Sequence, residues 1–217
     1  MRLRLISPAI PRSQPRVRTF LLPFSCSHPP VADRRYFLPA RMHPFTLGET
    51  LTVTVSSHPA TGIAPERFKQ IFRNHPAGVV IVTVDAGRGP AGFTATSLSS
   101  LSLTPPLVSF GIGAASSSWP HVEQAGSAVV NFLGAEQADV ARRFATSGID
   151  RFAEPTRWRR LPGGEPVLDG VTGWLRVRIR QIVPAGDHRI VVAGVEESWL
   201  EDDRSPLLFH DGAYHSL

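Results

Sequence analysis

Cysteine is nearly missing from this chain: Cys26 is the only one in 217 residues. An internal disulfide is thereby excluded, and no set of thiolates is available for a metal cluster. That usage fits a reducing, cytoplasmic compartment. Long apolar runs are also lacking; none approaches the roughly 18 residues needed to cross a bilayer as a helix. Eight histidines are present, but no His-x-x-x-His pair with an acidic companion, so no metal site is expected. The Gly-x-Ser-x-Gly elbow of serine hydrolases does not occur. Gly111-Ile112-Gly113-Ala114-Ala115-Ser116 imitates a dinucleotide fingerprint. Its third glycine is missing, Asn131 stands where the ribose-binding acid belongs, and no βαβ pattern surrounds it, which argues against a Rossmann domain.

Acidic residues are scarce in one region only. Residues 1–42 hold eight arginines and one acid, Asp33, for a charge of +7, whereas the other 175 residues hold 15 basic and 17 acidic side chains, for −2. The net +5 and the sequence pI of about 10.5 therefore belong to the N-terminal tail. Seven prolines interrupt that tail, so it is expected to be a disordered leader, residues 1–62, ahead of one domain over residues 63–217. Met42 is a candidate alternative start. A nucleic-acid arm or a targeting peptide would share this composition, but neither nucleic acid nor membrane is expected as a partner.

The rest reads as strands with short helices. Pro65 opens a helix with Phe68, Ile71 and Phe72 on one face. Val79–Val84 is a β-branched run expected to be buried on both faces. Strands follow at Leu107–Ile112, Ala128–Leu133, Trp174–Val183 and Ile190–Leu200. Helices are expected from Ser116 to Ala125 and from Gln137 to Ala145. In the Trp174 strand, Leu175, Val177 and Ile179 alternate with Arg176, Arg178 and Arg180, so one wet face is expected. Asp211-Gly212 closes a last hairpin. The pattern predicts a small antiparallel barrel with peripheral helices.

Seven of the fifteen residues from Gly92 to Pro106 are Ser or Thr, and none is charged. Neutral hydroxyls suit a flat, polar ligand that brings its own charge. Three serines, Ser116 to Ser118, precede a helix, where backbone N–H groups favour an anion such as phosphate. His188, in Gly186-Asp187-His188, lies at a hairpin mouth where a ring can reach a ligand. Arg142-Arg143 and Arg151-Phe152 are either solvated or phosphate clamps.

Eight segments share their order with a known family: F-K-Q-I-F-R-N-H-P-A-G-V-V-I-V-T (68–83), G-F-T-A-T-S-L-S-S-L-S-L-T-P-P-L-V (92–108), S-S-S-W (116–119), V-V-N-F-L (129–133), Q-A-D-V-A-R-R-F-A (137–145), D-R-F (150–152), G-D-H-R-I-V-V-A-G-V (186–195) and P-L-L-F-H-D-G-A-Y-H (206–215). Over about 150 residues, the chain resembles the flavin reductase-like family of FMN-binding split barrels, reductase partners of two-component monooxygenases. Ala77 and Leu98 replace a usual Thr and Phe. The resemblance implies a mainly β, antiparallel split barrel and a homodimer with flavin at the subunit interface. It implies hydride transfer from NADH or NADPH to FMN or FAD, and a diffusible product. Thr94, Ala95, Thr96, Ser97 and Leu98 would line the isoalloxazine, with Ser100 against it. Ala115, Ser116 and Ser117 would receive the phosphate, Asn131 would brace the layer, and His188, Arg151 and Phe152 would position the nicotinamide. No residue is expected to act as acid or base. A non-catalytic flavin-binding module and an oxidase of the pyridoxamine-phosphate type are the alternatives.

Overall fold

The computed structural model describes residues 62–201 and 204–217; the leader expected from composition lies outside them. Helix α1 (Pro65–Arg73) begins at Pro65, as its fixed φ favours. Among the described residues, its apolar side chains stay about half exposed. Phe68, Ile71 and Phe72 are 52%, 51% and 55% exposed.

The anticipated Val79–Val84 strand is found one residue later, with an extra two-residue strand before it. Strand β1 (Ala77–Gly78) pairs with one sheet, and β2 (Val80–Asp85) enters another. In β2, Val80, Val82 and Val84 face one apolar cluster, while Ile81 and its neighbour Val79 face a second, so the segment is buried on both sides. Such double burial explains its β-branched run.

The hydroxyl-rich stretch is two strands around a short crossing. Strand β3 (Pro90–Ala95) leads through Thr96-Ser97-Leu98 to β4 (Ser99–Leu103), and β5 (Pro106–Gly113) follows. Helix α2 (Trp119–Val122) is four residues long, shorter than the periodicity implies. Strand β6 (Ser127–Phe132), helix α3 (Ala138–Ala145), and strands β7 (Trp158–Arg160) and β8 (Pro166–Leu168) come next. The long hairpin β9 (Gly173–Ala185) and β10 (His188–Leu200) turns through Gly186-Asp187, with Gly186 at φ +61°. A glycine at that turn position matches the strand twist without steric strain. Strands β11 (Leu207–His210) and β12 (Ala213–Ser216) form the anticipated Asp211-Gly212 hairpin.

Seven strands make one antiparallel sheet in the order β3-β2-β6-β9-β10-β5-β4. The sheet curls on itself: Phe93 on β3 lies 6.3 Å from Phe110 on β5, ring to ring. No ladder joins β3 to β4, so the barrel stays split along that seam. Inside it pack Val82, Val108, Phe110, Ile112, Val130 and Val191. On the outer face, α3 lays Ala141 and Phe144 over Ile81, beside Phe152 and Leu207. The expected wet face of β9 is partly dry, because Arg176 is drawn into an ion network and keeps 15% of its side chain exposed.

Candidate functional site

Beside the seam lies a cavity of about 620 Å³, lined by the end of β3, the Thr96-Ser97 crossing, the end of β5, the segment after α3 and the β9–β10 turn. Its walls follow from strand alternation. On β5, Val108, Phe110 and Ile112 point into the barrel, which leaves Ser109, Gly111 and Gly113 on the cavity side. Gly111 and Gly113 leave that strip without side chains. The Ser97 hydroxyl accepts the Gly111 N–H at 2.9 Å and so pins the crossing to the strip. Thr94 donates its hydroxyl to the Ala141 carbonyl at 2.7 Å, which ties β3 to α3.

At one end stands Arg151, the single cation among the lining residues described. Its guanidinium donates to the Gly92 carbonyl at 3.0 Å, the Thr146 carbonyl at 2.9 Å, Ser118 Oγ at 3.0 Å and Ser117 Oγ at 3.2 Å. Burial lowers its pKa from the usual arginine value, but an arginine remains charged at neutral pH. Ser116 and Ser147 line the same end. The serines foreseen as an anion site gather at this end, around Arg151. Helix α2 is a single turn, and the N–H groups of Ser116, Ser118 and Trp119 are already bonded to Gly113 O, Ser116 Oγ and Ser116 O. The anion-attracting group at this end is Arg151, set among serines.

At the β9–β10 turn, the His188 Nδ1 lies 2.8 Å from the Asp187 carboxylate. A carboxylate only accepts, so Nδ1 carries the proton. That hydrogen bond and the adjacent imidazole charge lower the Asp187 pKa. The turn is fastened to β5 by the Ala114 N–H, which donates to the Asp187 carbonyl at 2.9 Å. Arg189, next in sequence, points the other way and lies over the Trp119 ring, 5.7 Å from its centroid.

The structure thus gathers Thr94, Ala95, Thr96, Ser97, Ala115, Ser116, Arg151 and His188 around one cavity. Ser117 reaches that group through Arg151. Four residues from the sequence reading sit elsewhere. Leu98 turns toward an apolar groove on the far side of the crossing, and Ser100 lies exposed on β4. Asn131 is fully buried: its amide donates to the Ile81 carbonyl at 2.9 Å and Thr83 Oγ1 at 3.1 Å, and its Oδ1 accepts the Leu168 N–H. It braces β6 to β2 and β8, away from the cavity. Phe152 packs edge-on between Phe144 and Trp158, with ring centroids at 5.1 and 5.2 Å. Arg151 stands among the serines. Sequence reasoning missed Ser147, for which no signal existed. It also missed the Gly111–Gly113 strip, whose signal was mistaken for a broken nucleotide motif.

Among the described residues no group of three or more His, Cys, Asp or Glu side chains is placed to hold a metal, and no helix is long and apolar enough to cross a membrane. The cavity's chemistry is instead that of a flat ligand with an anionic end: bare backbone and hydroxyls along its length, and one guanidinium at its end.

The model of the flavin reductase like domain matches residues 72–217. An NADH:FMN oxidoreductase of Rhodococcus qingshengii is 47% identical over 160 residues, which cover 72% of this chain and 83% of that protein. The reductase subunit HsaB of a flavin-dependent monooxygenase from Rhodococcus jostii is 35% identical over 159 residues, covering 73% and 80%. The crystal structure of a flavin reductase domain protein from Arthrobacter superposes with a TM-score of 0.66 at 39% identity, over 70% of this chain and 94% of that one. With fold, cavity and sequence in accord, this chain belongs to the flavin reductase like domain family.

Proposed function

We propose that the protein is an NAD(P)H:flavin oxidoreductase that hands reduced flavin to a separate monooxygenase component. The cavity carries the reading, because Arg151 with its serines, His188 and the bare Gly111 and Gly113 positions all line it. When bound, the flavin and the nicotinamide nucleotide supply the redox chemistry between themselves. The chain's residues supply position. Ser97 and the backbone of Thr94 to Thr96 border the ring, and Arg151 attracts the phosphate end through a charge-assisted contact. His188 presents its ring toward the open strip. No acid or base is required of the protein, and none is proposed. Proximity and orientation alone account for several kcal/mol of barrier in such reactions, on the order of 7–11 at best.

A site lined by hydroxyls and backbone, with one guanidinium, holds flavin modestly, which suits a reductase whose product must leave. The monooxygenase reductase subunit among the relatives supports that destination. The reading includes a homodimer. The exposed face of α1 borders a groove of about 770 Å³ whose wall includes Thr96 and Ser97, residues that also line the cavity. A second copy seated there would bury the aromatics of α1 and close the flavin side together.

The test is oxidation of NADH and NADPH, followed at the nicotinamide absorbance band, with FMN, with FAD and with no added flavin. NADH with FMN is the first pair to try, after the Rhodococcus relative. Oxidation that rises steeply on adding flavin is expected. No flavin-dependent oxidation with either nucleotide would remove the enzyme reading.

A further inference from the structure

A serine at the N-cap of a helix ordinarily turns its hydroxyl back to the first free backbone N–H groups. Ser118 holds that place on α2, yet its side chain makes no cap bond. It is 1% exposed and is not among the residues that line the cavity. Its hydroxyl donates instead to the Gly92 carbonyl at 2.8 Å and accepts from Arg151 Nη1 at 3.0 Å. The same nitrogen donates to the Gly92 carbonyl at 3.0 Å, so the three atoms close a triangle. Strand β3, which carries Gly92, is an edge of the seven-stranded sheet, where backbone groups lack ladder partners on the open side. Ser118 therefore gives up the bond its position favours and joins a sheet edge to the cavity's arginine.

We propose that Ser118 is a positioning residue, itself outside the cavity lining, that fixes the direction in which Arg151 presents its charge to the flavin phosphate. The inference rests on the oxidoreductase reading and adds to it a residue that acts on the ligand only through Arg151. A hydroxyl has a single hydrogen, and Ser118 spends it on Gly92, so only lone pairs face the guanidinium. The sense of that contact is thereby fixed. Ser117 and Thr146, which also hold the guanidinium, are exposed and share their oxygens with water. Ser118 is enclosed, with no water to compete for its oxygen. An arginine side chain carries large rotamer freedom. One already held in its binding orientation loses less of that freedom when the phosphate arrives.

The experiment measures the Kd of FMN and of riboflavin by flavin fluorescence quenching for the wild type, Ser118→Ala, Arg151→Met and the double variant, with a circular dichroism melt of each. Ser118→Ala is expected to raise the FMN Kd on the order of tenfold, the scale of one hydrogen bond to a charged group, and to leave the riboflavin Kd within about twofold of wild type. In the Arg151→Met background the same change should move the FMN Kd by less than about twofold, because the group it positions is gone. Equal penalties on FMN and riboflavin would overturn the assignment, since a loss of local structure weakens both. An unchanged FMN Kd in Ser118→Ala, or a penalty that persists undiminished without Arg151, would overturn it too. Ser118→Cys nearly keeps the side chain's size but offers only a weak donor and acceptor. Should the Ala variant fail to fold, the Cys variant decides by the same comparison. A wild type without flavin-dependent NADH oxidation, or one that binds FMN no better than riboflavin, would remove the reading on which the inference stands. An active wild type that prefers FMN, beside an indifferent Ser118 variant, overturns Ser118 alone.

Discussion

Among the described residues the His188 ring is held by one side chain, Asp187, and is otherwise more than half exposed, so its removal disturbs little of the fold. His188→Ala should lower kcat/KM for the nicotinamide nucleotide by on the order of tenfold through lost orientation. Flavin affinity should stay near wild type, and stability should change by less than about 0.5 kcal/mol, as at other open surface positions. An unaltered kcat/KM for both nucleotides would reduce His188 to a turn histidine. Arg151 presents the contrasting case, because it ties four groups together and also faces the cavity. Arg151→Met should weaken FMN binding by about 1.5–3 kcal/mol, the range for hydrogen bonds to charged groups. Riboflavin, which has no phosphate, separates the two roles. Equal penalties for FMN and riboflavin would show that Arg151 only scaffolds the serines. Lysine is a poor substitute, since it lacks the planar fork that reaches several acceptors at once.

At the scale of elements, an ion network fastens the β7–β8 hairpin to the long β9–β10 hairpin. Glu165, between β7 and β8, accepts from Ser127 at 2.6 Å and from Arg176 Nε at 2.8 Å, and Arg176 also donates to Glu196 at 2.7 Å. Burial alone would raise the Glu165 pKa, but the bonds from Ser127, its own backbone and Arg176 outweigh it and hold the carboxyl below its ordinary value. A carboxylate depressed in the native state stabilises fully above about pH 4.5, where an unfolded glutamate ionises, and loses that contribution as pH falls through the native value. Glu165→Gln should therefore cost about 1–3 kcal/mol near neutral pH, and the difference from wild type should shrink in melts taken below the carboxylate range. A pH-independent difference would assign the effect to packing. This network also marks where sequence ceased to be legible. Clean alternation made β9 readable, a hydrophobic run β5, the return after a turn β10, and a β-branched run β2. Strands β7 and β8 are three residues each, with no period to detect. Strand β4 is three-fifths Ser, and β3 opens on Pro90 with Gly92 inside it, so both resemble a loop. Asn131 was singled out correctly as unusual, yet its partners are carbonyls and amides up to 50 residues away, which no local pattern reveals. Phe152 follows Arg151 directly, but the chain sends one ring into the aromatic cluster while the guanidinium turns to the serines.

For the whole molecule, residues 62–217 hold every element of the barrel and cavity described above, and the family match begins at residue 72. A chain starting at Gly62 is expected to fold and to retain flavin-dependent NADH oxidation, and its failure to fold would make the arginine-rich leader part of the structure. The same shortened chain suits the question of assembly. Phe68, Ile71 and Phe72 form an apolar stripe on α1 that the described residues leave half exposed. Burying a Phe side chain is worth roughly 1.5–3 kcal/mol, so three such residues on each of two copies are a substantial driving force. The groove under them shares Thr96 and Ser97 with the cavity, so assembly and flavin affinity should fall together. Phe72→Glu places a charge in that stripe, where desolvation opposes pairing. Light scattering after gel filtration should report a dimer for the parent chain and a monomer for Phe72→Glu, with flavin Kd raised in the variant. Because Phe72 is half exposed, a melting temperature close to the parent's is expected when both are compared at a concentration low enough to dissociate the parent. A parent chain that is monomeric at assay concentration and still reduces flavin would separate the active site from assembly and leave α1 free for some other contact.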